Sequence, residues 1–475
     1  MSKKYNRRKF IEQFGSGCAG IGATTLLSSL TNLGLISSAA AANTRNSMFT
    51  QTGSDYKALV CIMLAGGNDS YNMLVPRGVD EHADYAATRG DLAIPREDLL
   101  TINPTNTSGR EFGLNPNMPN TQSLFEAGNL SFIANVGTLA APTNITTFNN
   151  GSVGLPEGLF SHADQQQHWY TSLPDNRNAL TGWGGRMADI LQSVNDNQNI
   201  SMNISIGGSS LLGAGNTVQS YPISDNGDGA ILLDGSNNNG FYESLKRQTF
   251  DSLLEETYAN TLRRAYVNTI RNATNNSFEF ASALSNIPDS SVSYDGTGDL
   301  GSDLQMIART IAARDTLGMS KQTFFSRTRG WDHHANILEA HAEKLTELDV
   351  ALKAFYDNLV ELGIENNVTT FVVSDFARTL TSNGSGTDHA WGGNVMVMGG
   401  AVNGQQILGQ YPDLYLGNER DLGRGRLIPT TSTDEYFAEL ALWFGASSSD
   451  LDQILPNINR FWTPTTGNYP IGFMS

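Results

Sequence analysis

The sequence predicts an α/β protein: a three-layer α/β/α sandwich around a mainly parallel sheet. Three observations point there. Apolar runs of strand length recur without the alternation of a half-exposed strand, as in strands buried on both faces. Helical periodicity fills the intervals between several of them. Clusters rich in Asp and His follow the strands, and open parallel sheets bind ligands at their carboxyl edge.

In chain order, residues 1–42 stand apart from the fold. Arg7, Arg8 and Lys9 precede Phe10 and Ile11, a modestly apolar middle follows, and Ala40, Ala41 and Ala42 offer a cleavage site. The pattern reads as a twin-arginine export signal, with a periplasmic or extracellular destination. A transmembrane anchor would need about 20 strongly apolar residues. This middle is instead rich in Gly, Ser and Thr, and no later segment is apolar enough to span. Losing the signal removes five basic residues and one acidic one, which moves the net charge from −17 to −21. Such acidity argues against nucleic acid or an anionic membrane surface as partner, and no stable membrane insertion is expected. Beyond the signal only Cys61 remains, so no internal disulfide can form. The core, or a bound metal, must then stabilise the fold. Nothing in the sequence sets an oligomeric state.

"YKALVCIML" (56–64) reads as a central parallel strand, and "LSFIANVG" (130–137) as a second. "NISMNISIGG" (199–208) alternates, as a strand nearer an edge would. "SDNGDGAILLDGSNNNG" (224–240) is a loop insertion, and its "DNGDG" lacks the spacing of an EF-hand. Residues 241–285 look helical with few breakers, and 302–317 place Leu304, Ile307, Ile311 and Leu317 roughly along one helical face. "QTFFSRTRG" is a short strand followed by "WDHH". A helix from about 336 carries the stripe Leu338, Ala342, Leu345, Leu348, Leu352, Phe355, Leu359 and Leu362. "VTTFVVSDF" is a β-branched strand ending in Asp375, "NVMVMGG" is another, and the C-terminus is helical around 433–444 and near 448–455.

Five polar clusters sit at the ends of these elements. Asn68-Asp69 follows the first strand, and Ser161-His162 opens the helix "SHADQQQHWY". Asp332, His333 and His334 follow a strand, as does Asp375, and Asp388-His389 lies in the loop after that. Carboxylates and neutral imidazoles together suit a divalent cation, and several carboxylates would repel one another without one. Zinc accepts both ligand types; manganese, iron or calcium are the alternatives. The candidate metal ligands are Asp69, His162, Asp332, His334, Asp375, Asp388 and His389, with Asp388 also able to orient His389. Each has a plainer reading. Asp69 could satisfy turn amides, Ser161 could be a helix N-cap with Asp164 completing the box, and Asp332 and His334 could cap the long helix. Ser161 is otherwise the candidate nucleophile. Arg378 either steadies an anionic substrate or pairs with an aspartate. His168 is expected to pack, His333 to point away from His334, and His341 to lie on the surface.

These residues carry a family resemblance. "LAGGNDSYN", "GWDHHAN", "SDFARTLTSNGSGTDHAWGG" and "VMVMGG", with the twin-arginine signal, resemble the secreted bacterial family catalogued as domain of unknown function 1501. The resemblance spans about 57–411 and is most specific from 330 to 400. It implies an alkaline phosphatase- and sulfatase-like fold, with residues 43–475 forming one such domain with loop insertions. The wider superfamily implies two divalent metals about 3.5–4 Å apart that clamp the attacking and leaving oxygens of a phosphate or sulfate ester. Two departures stand out. An Asp-His pair of the superfamily is Asp375-Phe376 here, and the Cys-x-Pro-x-Arg signature of sulfatases is absent. The expected function is a secreted hydrolase of phosphate or sulfate esters holding one or two divalent ions. Its substrate would be a small anionic ester or one borne on a polymer. The alternative is a non-catalytic secreted or cell-surface binding protein that keeps the fold.

Overall fold

A computed structural model describes residues 56–206, 208–231, 241–256, 258–465 and 467–475. The export signal and its cleavage site lie outside the described residues. Nine strands form one sheet: β1 (Lys57–Ala65), β5 (Leu130–Gly137), β6 (Asn203–Ile206), β7 (Tyr221–Ile223), β8 (Lys321–Arg329), β9 (Val368–Ser374), β10 (Gly393–Met398), β11 (Ile407–Gly409) and β12 (Thr431–Ser432). Their order is β11-β5-β10-β9-β1-β8-β6-β7, with β12 also paired to β5. All neighbours run parallel except β10, which is antiparallel to both β5 and β9. Short strands β2 (Leu74–Pro76), β3 (Leu100–Ile102) and β4 (Phe112–Leu114) make a separate antiparallel sheet.

The apolar run of β1 is continuous because both of its faces are covered. Ala58, Val60, Ile62 and Leu64 enter one core with Leu124, Leu304, Ile307, Leu345, Leu352 and Phe355, from helices Pro119–Glu126, Gly298–Ala312 and Ile337–Glu361. Leu59, Cys61 and Met63 enter the other with Trp169, Trp183, Met187, Phe437 and Leu440, from helices His162–Thr171, Trp183–Leu191 and Thr433–Phe444. The three layers are those the sequence predicts. Among the described residues no helix is long and apolar enough to cross a membrane.

Some boundaries differ from expectation. The stretch 241–285 is two helices, Phe241–Glu255 and Thr261–Ser285. No Gly or Pro marks the break; the second helix starts where the Asn260 side chain accepts the Arg263 amide. The helix expected over 302–317 runs instead from Gly298 to Ala312. The inward stripe of the long helix is Ile337, His341, Leu345, Leu348, Leu352, Phe355 and Leu359, and Leu338 is half-exposed. His341 is therefore buried, contrary to its expected surface position. Reading the stripe from Leu338 rather than Ile337 rotates its first turn by one residue, about 100° on an α-helix.

β1 lies between β8 and β9, and the ends of all three are level: Ala65 pairs with Arg329, and Leu64 with Ser374. Gly66, Gly330 and Asp375 thus leave the sheet side by side. Gly66 has φ +131°, and a Cβ there would lie 2.4 Å from the Asp332 nitrogen. Only glycine lets the loops after β1 and β8 meet so closely.

Candidate metal centre

Five of the predicted residues meet at this carboxyl edge. His334 Nε2 lies 3.0 Å from His389 Nε2 and 3.1 Å from Asp332 Oδ1, and His389 Nε2 lies 3.4 Å from that same oxygen. His162 approaches from the helix across the sheet edge, with Nε2 3.4 Å from Asp332 Oδ2. Asp375 stands behind His162, its Oδ2 2.7 Å from Nδ1. Ligands at about 2.0–2.1 Å around a tetrahedral ion would be roughly 3.3 Å apart. The observed triangle of His334, His389 and Asp332 has that size, and one atom each from His162, Asp332 and His389 also lie within 4.8 Å of one another. The residues present therefore fit one divalent cation.

The outer nitrogens support this. His389 Nδ1 donates to the Phe160 carbonyl at 2.7 Å, which leaves Nε2 to carry the lone pair. His162 Nδ1 faces the Asp375 carboxylate, while its Nε2 is buried with no hydrogen-bond partner. His334 Nδ1 lies 3.4 Å from Asp388 Oδ1. Each imidazole is thus held from behind, the arrangement that fixes ring orientation at metal sites. Asp388, expected to orient His389, flanks His334 instead and pairs with Arg424 at 2.6 Å.

Burial and neighbouring groups shift the titration of these side chains. The hydrogen bond to Asp375 raises the pKa of His162 despite its burial. Burial lowers that of His389, with the Phe160 carbonyl opposing. Burial acts to raise the Asp332 carboxyl, but the bond to Arg378 and its charge outweigh this and hold it below the usual carboxylate range. The Asn383 bond and Arg424 do the same for Asp388.

Other predicted residues have different surroundings. Asp375 Oδ2 also accepts from the Gly66 amide at 3.2 Å and from Gln166 Nε2 at 2.9 Å, so it braces His162 rather than facing the cluster alone. Asp375→Asn should weaken zinc binding about 10–100-fold, measured by competition with a chromophoric chelator; unchanged affinity would remove Asp375 from the site's support. Arg378 is fully buried. It donates to Asp332 Oδ1 at 2.7 Å, the Gly66 carbonyl at 3.1 Å, and both the hydroxyl and carbonyl of Thr387. Its partners are all protein groups, and the one in the cluster is Asp332. Asp69 is fully buried in an ion pair with Arg89 and stands outside the ligand triangle. Ser161 begins the helix His162–Thr171, but its side chain makes no cap bond. His168 is buried, with Nε2 on the Glu157 carbonyl. His333 is also buried, and His341 Nε2 reaches Asn68 Oδ1 at 2.8 Å. Burial lowers the His341 pKa to about 4. No pattern in the sequence points to Arg89, Gln166 or the Phe160 carbonyl, whose roles arise from contacts between distant segments.

A cleft of about 940 Å³ opens along β8, and none of the cluster's residues lines it. Arg327, Thr328 and Arg329 at the end of β8 line it, opposite Tyr170, Ser209 and Ser210. Gln166 links the two places, accepting from Arg327 at 2.9 Å while donating to Asp375.

Comparison with curated proteins finds no match. Among solved structures, the chain is similar to Ps i-CgsB in complex with k-i-k-neocarrahexaose, at 10% identity over 86% of this chain and 78% of that one, with a TM-score of 0.34. It is similar to the integral membrane lipooligosaccharide phosphoethanolamine transferase A of Neisseria meningitidis, at 11% identity over 92% and 66%, with a TM-score of 0.29. It is also similar to a magnesium-bound mutant of TAB5 alkaline phosphatase, at 10% identity over 86% and 99%, with a TM-score of 0.30. One family model, described as "Protein of unknown function (DUF1501)", matches residues 56–455, and the chain belongs to that family.

Proposed function

We propose that this protein is an exported, metal-dependent hydrolase of phosphate or sulfate esters. The observation that carries the metal is the meeting of three imidazole Nε2 atoms on Asp332, each ring held by a second partner. The openness of the cluster supports catalysis over a structural role. The Asp332 and His334 side chains are 42% and 46% exposed, and catalytic sites keep a position open where structural ones close it. A divalent cation supplies Lewis acidity, offsetting charge that develops on ester oxygens and making an attacking group more nucleophilic. Zinc suits the mixed set of ligands, with manganese or iron next.

The chain's own residues take the other roles. Ser161 is the candidate nucleophile: its hydroxyl caps no amide, and its neighbours Phe160 and His162 both touch the cluster. Arg378 keeps Asp332 ionised and aimed. The cleft along β8, linked to Asp375 through Gln166 and Arg327, has room for the alcohol side of a bulky or polymer-borne ester, and Arg329 in its lining offers a cation. The choice of esters rests on the likeness of the motifs to the alkaline phosphatase and sulfatase superfamily. The twin-arginine signal supports a periplasmic or extracellular site of action.

A non-catalytic binding protein is the second reading, and Phe376 favours it. Its ring packs 4.9 Å from that of His162 and 4.6 Å from that of His389, at the position where the superfamily has an imidazole. To separate the two, the purified protein is stripped with a chelator, reloaded with zinc, manganese, iron or calcium, and assayed on aryl phosphate monoesters, diesters and sulfates. Hydrolysis of at least one class should vanish on stripping and return with metal. A fully reloaded protein inert toward all three would sink the hydrolase.

A further inference from the structure

The resemblance implies two ions side by side, but the charges around the site are arranged for one. Asp69, the predicted ligand from the loop after β1, has its Oδ2 against the Arg89 guanidinium, and both side chains are fully buried. Arg89 is tied down as well, donating through Nη1 to the Thr379 and Leu380 carbonyls at 3.1 and 3.4 Å. It cannot swing aside without leaving these groups and Asp69 unpaired. Nearby, Arg378 is a second buried guanidinium fixed on Asp332, and Arg424 neutralises Asp388. Four carboxylates, of Asp69, Asp332, Asp375 and Asp388, thus meet three guanidinium groups. A single negative charge is left over, and one divalent ion more than offsets it. A second would sit against Arg89 in a site already positive, at a cost that rises as the local dielectric falls. Asp375 and Asp388 offer little for a second ion either, since their oxygens already serve His162 and His334 from behind. Among the described residues a single group of three ligand side chains gathers.

We propose that the centre takes one divalent cation, and that Arg89 is a built-in positive charge in place of a second ion beside Asp69. This rests on the metal centre proposed above, and goes beyond it in fixing the stoichiometry and assigning Arg89 a role. One feature pulls the other way: Asp69 Oδ1 and Asp375 Oδ1 are buried without hydrogen-bond partners, so the count must be measured at saturation.

The test is to strip the full chain with a chelator, titrate it with Zn²⁺, and count bound metal by mass spectrometry after dialysis. One equivalent per chain is expected. Asp69→Asn should also bind one equivalent, with affinity within about threefold of the parent. If that variant does not fold, Asp69→Leu/Arg89→Met replaces the pair with apolar groups and should likewise bind one. Two equivalents in the parent would overturn the inference and leave the metal centre standing, as would an affinity drop well beyond threefold in either Asp69 variant. No metal in the parent would overturn both.

Discussion

If the proposed function holds, Asp332→Ala and His334→Ala will each purify with about a tenth or less of the parent's metal, and ester hydrolysis will fall by about 100-fold or more, while His341→Ala keeps both. Changing a group behind a ligand already costs about 10–100-fold in metal affinity or activity, and these two changes remove proposed ligand atoms themselves. Asp332 is the hub of the cluster: one or other of its oxygens lies within 3.4 Å of His162, His334 and His389 Nε2. Losing it also strands Arg378, buried without its carboxylate. His341 lies on the same segment but turns into the core, where it donates to Asn68. Its removal should cost about 1–3 kcal/mol of stability, because the Asn68 oxygen is left buried and unpaired. Metal analysis, activity and urea denaturation of the three variants would distinguish these roles. Equal metal content in all three would mean that "WDHHAN" is only a polar start to a helix.

Arg89→Met will lower stability by about 3–5 kcal/mol, the cost of breaking a buried ion pair from one side. Asp69 then stays in the core with its charge uncompensated, and the Thr379 and Leu380 carbonyls lose a donor. Asp69→Leu/Arg89→Met should recover much of that loss, since removing both charges also removes their desolvation. Urea denaturation gives the comparison. A double variant no more stable than Arg89→Met would show that the guanidinium matters for the carbonyls it holds and not for Asp69.

Much of this was legible in the sequence. β1, β5 and β9 announce themselves because strands buried on both faces need apolar residues at every position, and the polar residues that follow them fall where parallel strands end. The sequence also brought His162, Asp332, His334 and His389 forward as candidates, since imidazoles and carboxylates at such ends have few other uses. What it could not show is which of them face one another and which stand behind. Asp375 braces a ring because its oxygen points back at His162 Nδ1, a matter of side-chain direction across two segments. Arg378 is spent on Asp332 because the loops after β8 and β9 meet at Gly66. Asp69 is turned to Arg89, from a helix whose own pattern gives no hint of a buried guanidinium. His341 was misplaced because Leu338 offered an equally regular stripe, and only the packed helix selects Ile337.

The position of β1 has a consequence for how the chain is made. Lys57 pairs with Lys321 and Ala58 with Val368, so β1, the first strand among the described residues, waits for partners more than 260 residues downstream. At synthesis rates of about 5–20 residues per second, that delay is some tens of seconds. Through that interval "ALVCIMLA" has no sheet to join, and an unpaired apolar strand is a template for association with other chains. Pairings this distant also fold slowly once the chain is complete. Nascent chains released before β9 emerges should therefore be insoluble, and the newborn protein should depend on a chaperone that shields its N-terminal third.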